Sequence, residues 1–270
     1  IGQCVFDLTW YTALCFYIPS PVVGAALLLQ SSWLLRRQRQ RSAAVFALLA
    51  AFPLGFTVLV ENQWAAPRNT ADTSNLPHLR LVHWNTWYGE RGWDPVMDRL
   101  RSLKADIYVL SESARGYDVE AAAKSFGPEF HVLRFEDMAV FARGELVVHE
   151  RLPIGRHGWA RLIDWKSPAG LMRILAVDFP SHPRTHRAPL LAELRRQIEQ
   201  WQPDFVVGDM NAPRRSPGLR DLPAGYRHTY LSSGSGWSYT WPVICPLWAI
   251  DQCIAGRRVH PLHYELQSTT

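Results

Sequence analysis

Cysteine is scarce in this chain and badly spaced for metal binding. Only Cys4, Cys15, Cys245 and Cys253 occur, with no C-x-x-C pair, which excludes a zinc ribbon or a cysteine-held cluster. Cys245 and Cys253 read as two buried free thiols, or as a disulfide were their segment extracytoplasmic. No internal repeat or low-complexity tract is present, which excludes solenoid and disordered classes. Lysine is sparse beside arginine, yet the net charge is +5. That balance favours anionic partners (phosphates, nucleic acid or acidic lipid surfaces) without choosing among them. Charge of either sign is missing from Leu8 to Leu35, a stretch long enough to cross a bilayer.

What is present divides the chain in two. The first apolar stretch carries Ile18-Pro-Ser-Pro-Val22, so it fits one kinked span or two shorter segments. A basic loop, residues 36–42, holds RRQRQR, and a second apolar run covers residues 43–60. Two apolar runs around a basic loop do not fit a cleaved signal peptide. Residues 1–64 therefore read as a transmembrane region with spans over 8–35 and 43–60, Trp64 marking an interface. Arginine between the spans should face the cytoplasm, which would leave the chain after Val60 periplasmic or extracellular. Glu61 to Pro77 is polar and Pro-punctuated, and its part from 65 to 77 reads as a linker to a domain over 78–270.

With 270 residues and 47% hydrophobic content, the chain can build one good core plus something extra. Strands are expected at Leu79–Trp84, Asp106–Leu110, His131–Phe135, Met138–Phe141, Leu146–His149, Trp159–Trp165, Leu171–Val177, Phe205–Val207 and Val259–Leu266. Helical spacing covers Asp94–Leu103, Tyr117–Phe126 and Ala188–Trp201. Strands repeating between turn signals point to stacked sheets rather than a βαβ series.

Several strand ends carry polar residues that a core strand does not need. Asn85 follows LRLVHW, Glu112 follows DIYVLS, and Asp209 with Asn211 follows FVVG. Asp251 lies among apolar neighbours in WAIDQCI, where an acid is costly unless paired. Each alone reads as a turn or cap residue. In this order they resemble the endonuclease/exonuclease/phosphatase superfamily. LVHWNTW is similar to its first strand with Asn, ADIYVLSES to the strand ending on a metal-binding Glu, and VVGDMNAPRRSPG to its Gly-Asp-Phe-Asn motif. YTWPVICPLWAIDQCI resembles the segment whose Asp orients a catalytic His.

The resemblance covers about Leu79 to Leu266 and implies an α+β, four-layer α-β-β-α sandwich of two mixed sheets. It implies that Asn85 supports metal or phosphate, Glu112 binds Mg²⁺ or Mn²⁺, Asp209 activates water and Asn211 binds phosphate. Asp251 would orient a histidine. Where the family places a phosphate-contacting His this chain has Asp178, with His182 or His186 a few residues on as substitutes and Arg214 a further phosphate contact. The family's terminal Ser-Asp-His lies beyond Thr270, so the chain reads as truncated there, as Ile1 suggests at the other end. Further positive charge comes from Arg143, Arg161, Arg184, Arg187 and Arg215, most of it expected on the solvated surface.

The expected activity is metal-dependent phosphodiester hydrolysis by a membrane-anchored domain, on nucleic acid, a phospholipid head group or a small phosphodiester. Trp84, Trp87, Trp237 and Trp241 suit either base stacking or a lipid interface. The alternative is a catalytically inactive binding or scaffold module on the same fold. A transporter part is disfavoured by the small apolar region, and no obligate protein partner is indicated.

Overall fold

The computed structural model describes residues 17–67, 73–90, 92–113, 119–155, 158–182 and 185–267. Its strands are β1 (Leu81–Asn85), β2 (Ile107–Ser111), β3 (Phe130–Phe135), β4 (Met138–Arg143), β5 (Leu146–Ile154), β6 (Gly158–Ser167), β7 (Gly170–Asp178), β8 (Phe205–Asp209), β9 (Arg227–His228) and β10 (Asp251–Ala255). The helices are α1 (Ser20–Arg36), α2 (Gln40–Phe56), α3 (Trp93–Leu103), α4 (Val119–Lys124), α5 (Ala188–Trp201) and α6 (Thr229–Ser233). One sheet runs β1-β2-β4-β3 and the other β5-β6-β7-β8-β10-β9. Both are mixed, since β1–β2 and β7–β8 pair parallel and the rest antiparallel.

Period-two alternation sorts the side chains into three cores. Ile107, Val109, Ile174, Ala176, Phe205 and Val207 meet between the sheets. Tyr108 and Leu110, one residue out of step, face Val96, Met97 and Leu100 of α3. Val206 and Leu175 face Leu190, Leu191, Leu194 and Ile198 of α5. The four-layer α-β-β-α sandwich expected from the sequence is the fold. Central strands such as β8 are buried on both faces, so they read as unbroken apolar runs.

The expected strand at Val259–Leu266 is not one. Pro261 removes a ladder donor there, and within the stretch only Tyr264 makes a bridge, to Gly234. The last strand is instead β10, whose alternation is masked by Gln252, a buried side chain donating to the Ala212 and Ala249 carbonyls. Trp84 packs partly against the α3 layer, out of step with His83 and Asn85. Cys245 is exposed rather than buried, while Cys253 packs on the inter-sheet core, and both are free.

Helices α1 and α2 form an antiparallel pair. A side chain at Gly24 would meet the Leu54 side chain at 2.5 Å, and the Ser31 hydroxyl donates to the Ala43 carbonyl at 2.7 Å. What the pair buries is small, namely Ser20, Gly24, Ser31, Ala43 and Ala50 besides Leu34. What it exposes is large and apolar, with Phe52 76% and Leu59 79% exposed. A π-helical turn, Thr57–Glu61, extends α2. Gln40–Glu61 is long and apolar enough to cross a membrane. Residues 8–16 of the expected first span lie outside the described part.

Glu61 to Trp64 do not behave as the start of a free linker. Gln63 bridges Gly236, the Asn62 amide oxygen accepts from the Ser238 amide at 2.8 Å, and the Tyr239 hydroxyl donates to the Glu61 carboxylate at 2.6 Å. This clamp fixes α2 to the segment that leads into β10.

Candidate active site

The carboxylates gather where the inter-sheet seam opens. Register pairs Asp178 with Asp209 across β7 and β8, and Asp209 with Asp251 across β8 and β10. Directly opposed residues share a face. The three acids thus form one row, continuing the apolar face of Ala176, Val207 and Cys253. On the other sheet, His83 and Asn85 alternate with the outward Val82 and Trp84, so they meet the row.

Asp209 is held on both oxygens. The Asn85 side-chain amide donates to one at 3.0 Å, bridging the two sheets. The Asn211 backbone N–H donates to the other at 2.8 Å. Asn211 adopts a left-handed backbone, φ 45°, which turns its side-chain amide onto the Phe179 carbonyl at 2.8 Å. The Asn85 side-chain oxygen accepts from the Trp87 backbone N–H at 3.0 Å. Glu112 also sits at a left-handed corner, φ 49°. Its carbonyl accepts from the Tyr88 amide and the Thr86 hydroxyl, which ties the β1 and β2 ends together. Gly208 permits the close β7–β8 approach, since a Cβ there would lie 1.9 Å from the Val177 carbonyl oxygen.

Crowding and burial oppose ionisation. Burial first, and then Asp209, Glu112, Asp137 and Asp251, push Asp178 up to about 8. Burial, then Asp251, raises Asp209 well above the usual carboxylate range, against the amides of Asn211 and Asn85. Asp251 is raised by burial in the same way. One Asp251 oxygen is buried without a hydrogen-bond partner, 3.7 Å from His83 Nδ1. Burial lowers His83 to about 4, so the ring is neutral at pH 7, and its Nε2 lies 3.0 Å from the Ser111 hydroxyl.

Among the expected site residues, Asn85, Asp178, Asp209, Asn211 and Asp251 come together, with Glu112 close enough to raise three of them. His182 is exposed on the loop after β7. Arg214 lies in the junction instead, donating to Ser238 Oγ at 2.6 Å and the Glu61 carbonyl, its guanidinium 4.3 Å from the Tyr230 ring centre. Arg187 binds the Pro180 and Thr185 carbonyls and so shapes the β7–α5 loop. Arg143 and Arg161 are engaged with Asp106 and Glu136, and Arg184 lies outside the described residues. Sequence reasoning missed His83, Tyr88 and Asp137. Tyr88 is pushed up to about 12 by burial and by Asp137, Glu112 and Asp178. His83 was readable from its place two residues before Asn85 on an alternating strand; Asp137, in a turn, gave no signal.

Hard oxygen donors crowded at the mouth of a dry seam, one of them unpartnered, fit a hard divalent cation. Among the described residues no group of three or more His, Cys, Asp or Glu side chains is placed to hold a metal ion by itself.

Two packed mixed sheets with an amide- and carboxylate-lined cleft at their strand ends define a DNase I-like hydrolase fold. Residues 82–268 match the Endonuclease/Exonuclease/phosphatase family, and the chain belongs to that family, whose members hydrolyse phosphoester bonds. Truncated Caenorhabditis elegans TDP2 is similar at 15% identity, with 71% of this chain and 89% of that one covered and a TM-score of 0.57. A family protein from Bacteroides thetaiotaomicron gives 10% identity, 70% and 87% coverage and a TM-score of 0.55. D. rerio TDP2 complexed with single strand DNA product gives 15%, 68% and 86%, and 0.53. No curated protein matches the sequence.

Proposed function

We propose that the chain is a membrane-anchored, divalent-metal-dependent phosphodiesterase. The observation that carries this is the doubly held Asp209 in line with Asp178 and Asp251, with Asn85 reaching it from the opposite sheet. Glu112 and Asn85 would hold Mg²⁺ or Mn²⁺, which when bound supplies charge neutralisation for the phosphate. Asp209, its carboxylate fixed by two N–H donors, orients the attacking water and takes up its proton. Each site asparagine uses one side-chain N–H within the protein and has a second to donate to a non-bridging phosphate oxygen. The unpartnered Asp251 oxygen is free to accept from a histidine N–H and would fix that ring's tautomer.

Anchoring is supported by the inverted pattern of α1 and α2, small residues between the helices and large apolar ones outside. Arg36 to Arg41 then face the cytoplasm, which puts the domain in the periplasm or outside the cell. A second reading, an inactive binding module, draws on Asp178 where the family has histidine.

The test uses the full-length protein with Mg²⁺ or Mn²⁺ on plasmid DNA, phospholipid and a bis-aryl phosphate. Glu112→Ala and Asp209→Ala should each lower the rate by roughly 100-fold or more. Millimolar Mg²⁺ should also raise the melting temperature of the wild type and not that of Glu112→Ala. Equal rates for all three proteins would sink the assignment.

A further inference from the structure

We infer that the segment Trp237–Trp248 is a lipid-inserted rim of the cleft, and that the phosphoester cleaved belongs to a lipid of the bilayer holding α1 and α2. Both claims rest on the membrane-anchored reading above, and the substrate claim rests also on the phosphodiesterase reading.

Both domain-side ends of the helix pair are fastened to this segment. Trp248 Nε1 donates to the Tyr17 carbonyl just before α1, at 2.9 Å. After α2, the Gly236 amide donates to the Gln63 carbonyl at 2.7 Å, and the Trp64 and Trp237 rings lie 6.5 Å apart. The rim is thereby held level with the ends of the proposed spans. Its tip, Trp241-Pro-Val-Ile-Cys-Pro-Leu-Trp248, carries no charge. Trp241 and Val243 are exposed and Ile244 is 91% exposed. Side chains of this kind, with Trp64 beside Trp237 and Leu59 also exposed, match a lipid interface and not water.

The same segment reaches the chemistry. The Thr240 hydroxyl accepts from the Asp251 amide at 3.4 Å, and Trp241, Ile244 and Trp248 line the cleft with Asp209, Asn211 and Asp251. Nucleic acid is the poorer fit at the rim, because a row of backbone phosphates needs a row of cations. From His228 to Gly256 there is no Lys or Arg, and neighbouring Arg214 and Arg187 are taken up by Ser238 and by loop carbonyls. Of the other cations lining the cleft, Arg80 donates to the Leu103 carbonyl and Arg258 pairs with Asp204. A lipid presents a single phosphate and an apolar tail, which the rim suits. The reaction is hydrolysis: water adds at phosphorus, one ester P–O bond breaks, and the leaving oxygen departs protonated as an alcohol beside a phosphomonoester.

The experiment reconstitutes the full-length protein, with Cys4 and Cys15 changed to Ser, in phosphatidylcholine/phosphatidylglycerol nanodiscs and labels the exposed Cys245 with an environment-sensitive fluorophore. Lipids nitroxide-labelled near the head group should quench it; an unquenched dye overturns the rim. In parallel, V243D should cleave bilayer phospholipid at least tenfold more slowly than wild type, while its rate on a soluble bis-aryl phosphate stays within twofold. Equal losses on both substrates, or wild type cleaving single-stranded DNA and not lipid, overturn the substrate assignment. A quenched dye with no hydrolysis of any of the three substrates removes the phosphodiesterase reading, and the substrate claim with it, and leaves the rim standing.

Discussion

Gly208→Ala tests how the site is positioned. The added Cβ would sit 1.9 Å from the carbonyl oxygen of Val177 and 2.8 Å from its carbon, both backbone atoms of β7. An ordinary contact lies beyond 3.4 Å, so β7 would have to retreat by roughly 1.5 Å. It cannot do so freely, because β6 pairs it along its whole length from Ser167–Gly170 to Trp159–Asp178. Overpacking of this kind costs about 1–3 kcal/mol. The backbone at φ +149° adds strain of about 1 kcal/mol for a residue with a Cβ. A total near 3 kcal/mol corresponds to a fall of roughly 6–12 °C in melting temperature for a domain of this size, read by calorimetry or circular dichroism. Gly170→Ala is the control: it also has positive φ, +105°, but nothing lies within 4 Å of its Cβ. It should show only the strain. If Gly208→Ala melts no lower than Gly170→Ala, the close β7–β8 approach is not what this glycine serves.

Two further perturbations address electrostatics and the junction. Asp178 titrates near 8 when folded and near 3.9 when unfolded. The proton it keeps thus favours the fold fully below about pH 4, and that contribution is lost as pH rises through about 8. Asp178→Asn should therefore match wild type in urea melts at pH 4 and exceed it at pH 9, in chelator; the same difference at both pH values would refute the linkage. Asn62→Ala removes a buried side chain that accepts from Ser238 and donates to Thr57, which should cost about 1–3 kcal/mol. Proteolysis within Gly234–Trp248 should quicken, and an unchanged rate would show that the clamp does not order this segment.

Local pattern made much of this legible. The run Phe205 to Val207 followed by Asp and Asn marked β8 and its polar end, and α5 has the bounds its apolar spacing gave, Ala188–Trp201. What escaped was decided by contacts between distant residues. Arg214 is three residues from Asn211, yet its direction is set by Glu61 and Ser238. Alternation placed His83 on the inward face of β1, but its neighbour Asp251 is 168 positions away, across the seam. β10 was hidden because Gln252 is polar and buried, its donors taken up by two carbonyls.

The acidic row and the apolar seam behind it follow from one alternation. Phe205, Val207 and Asp209 share a face, so the period that buries the first two carries the third to the rim of the same dry core. There, low polarity strengthens both the repulsion among acids and any attraction to a cation or phosphate. The amides of Asn85 and Asn211 offset part of that repulsion on Asp209; Asp178 and one Asp251 oxygen are left uncompensated. A fold that keeps such a row gives up stability where it gains affinity for positive charge, and a bound cation should restore what the row costs.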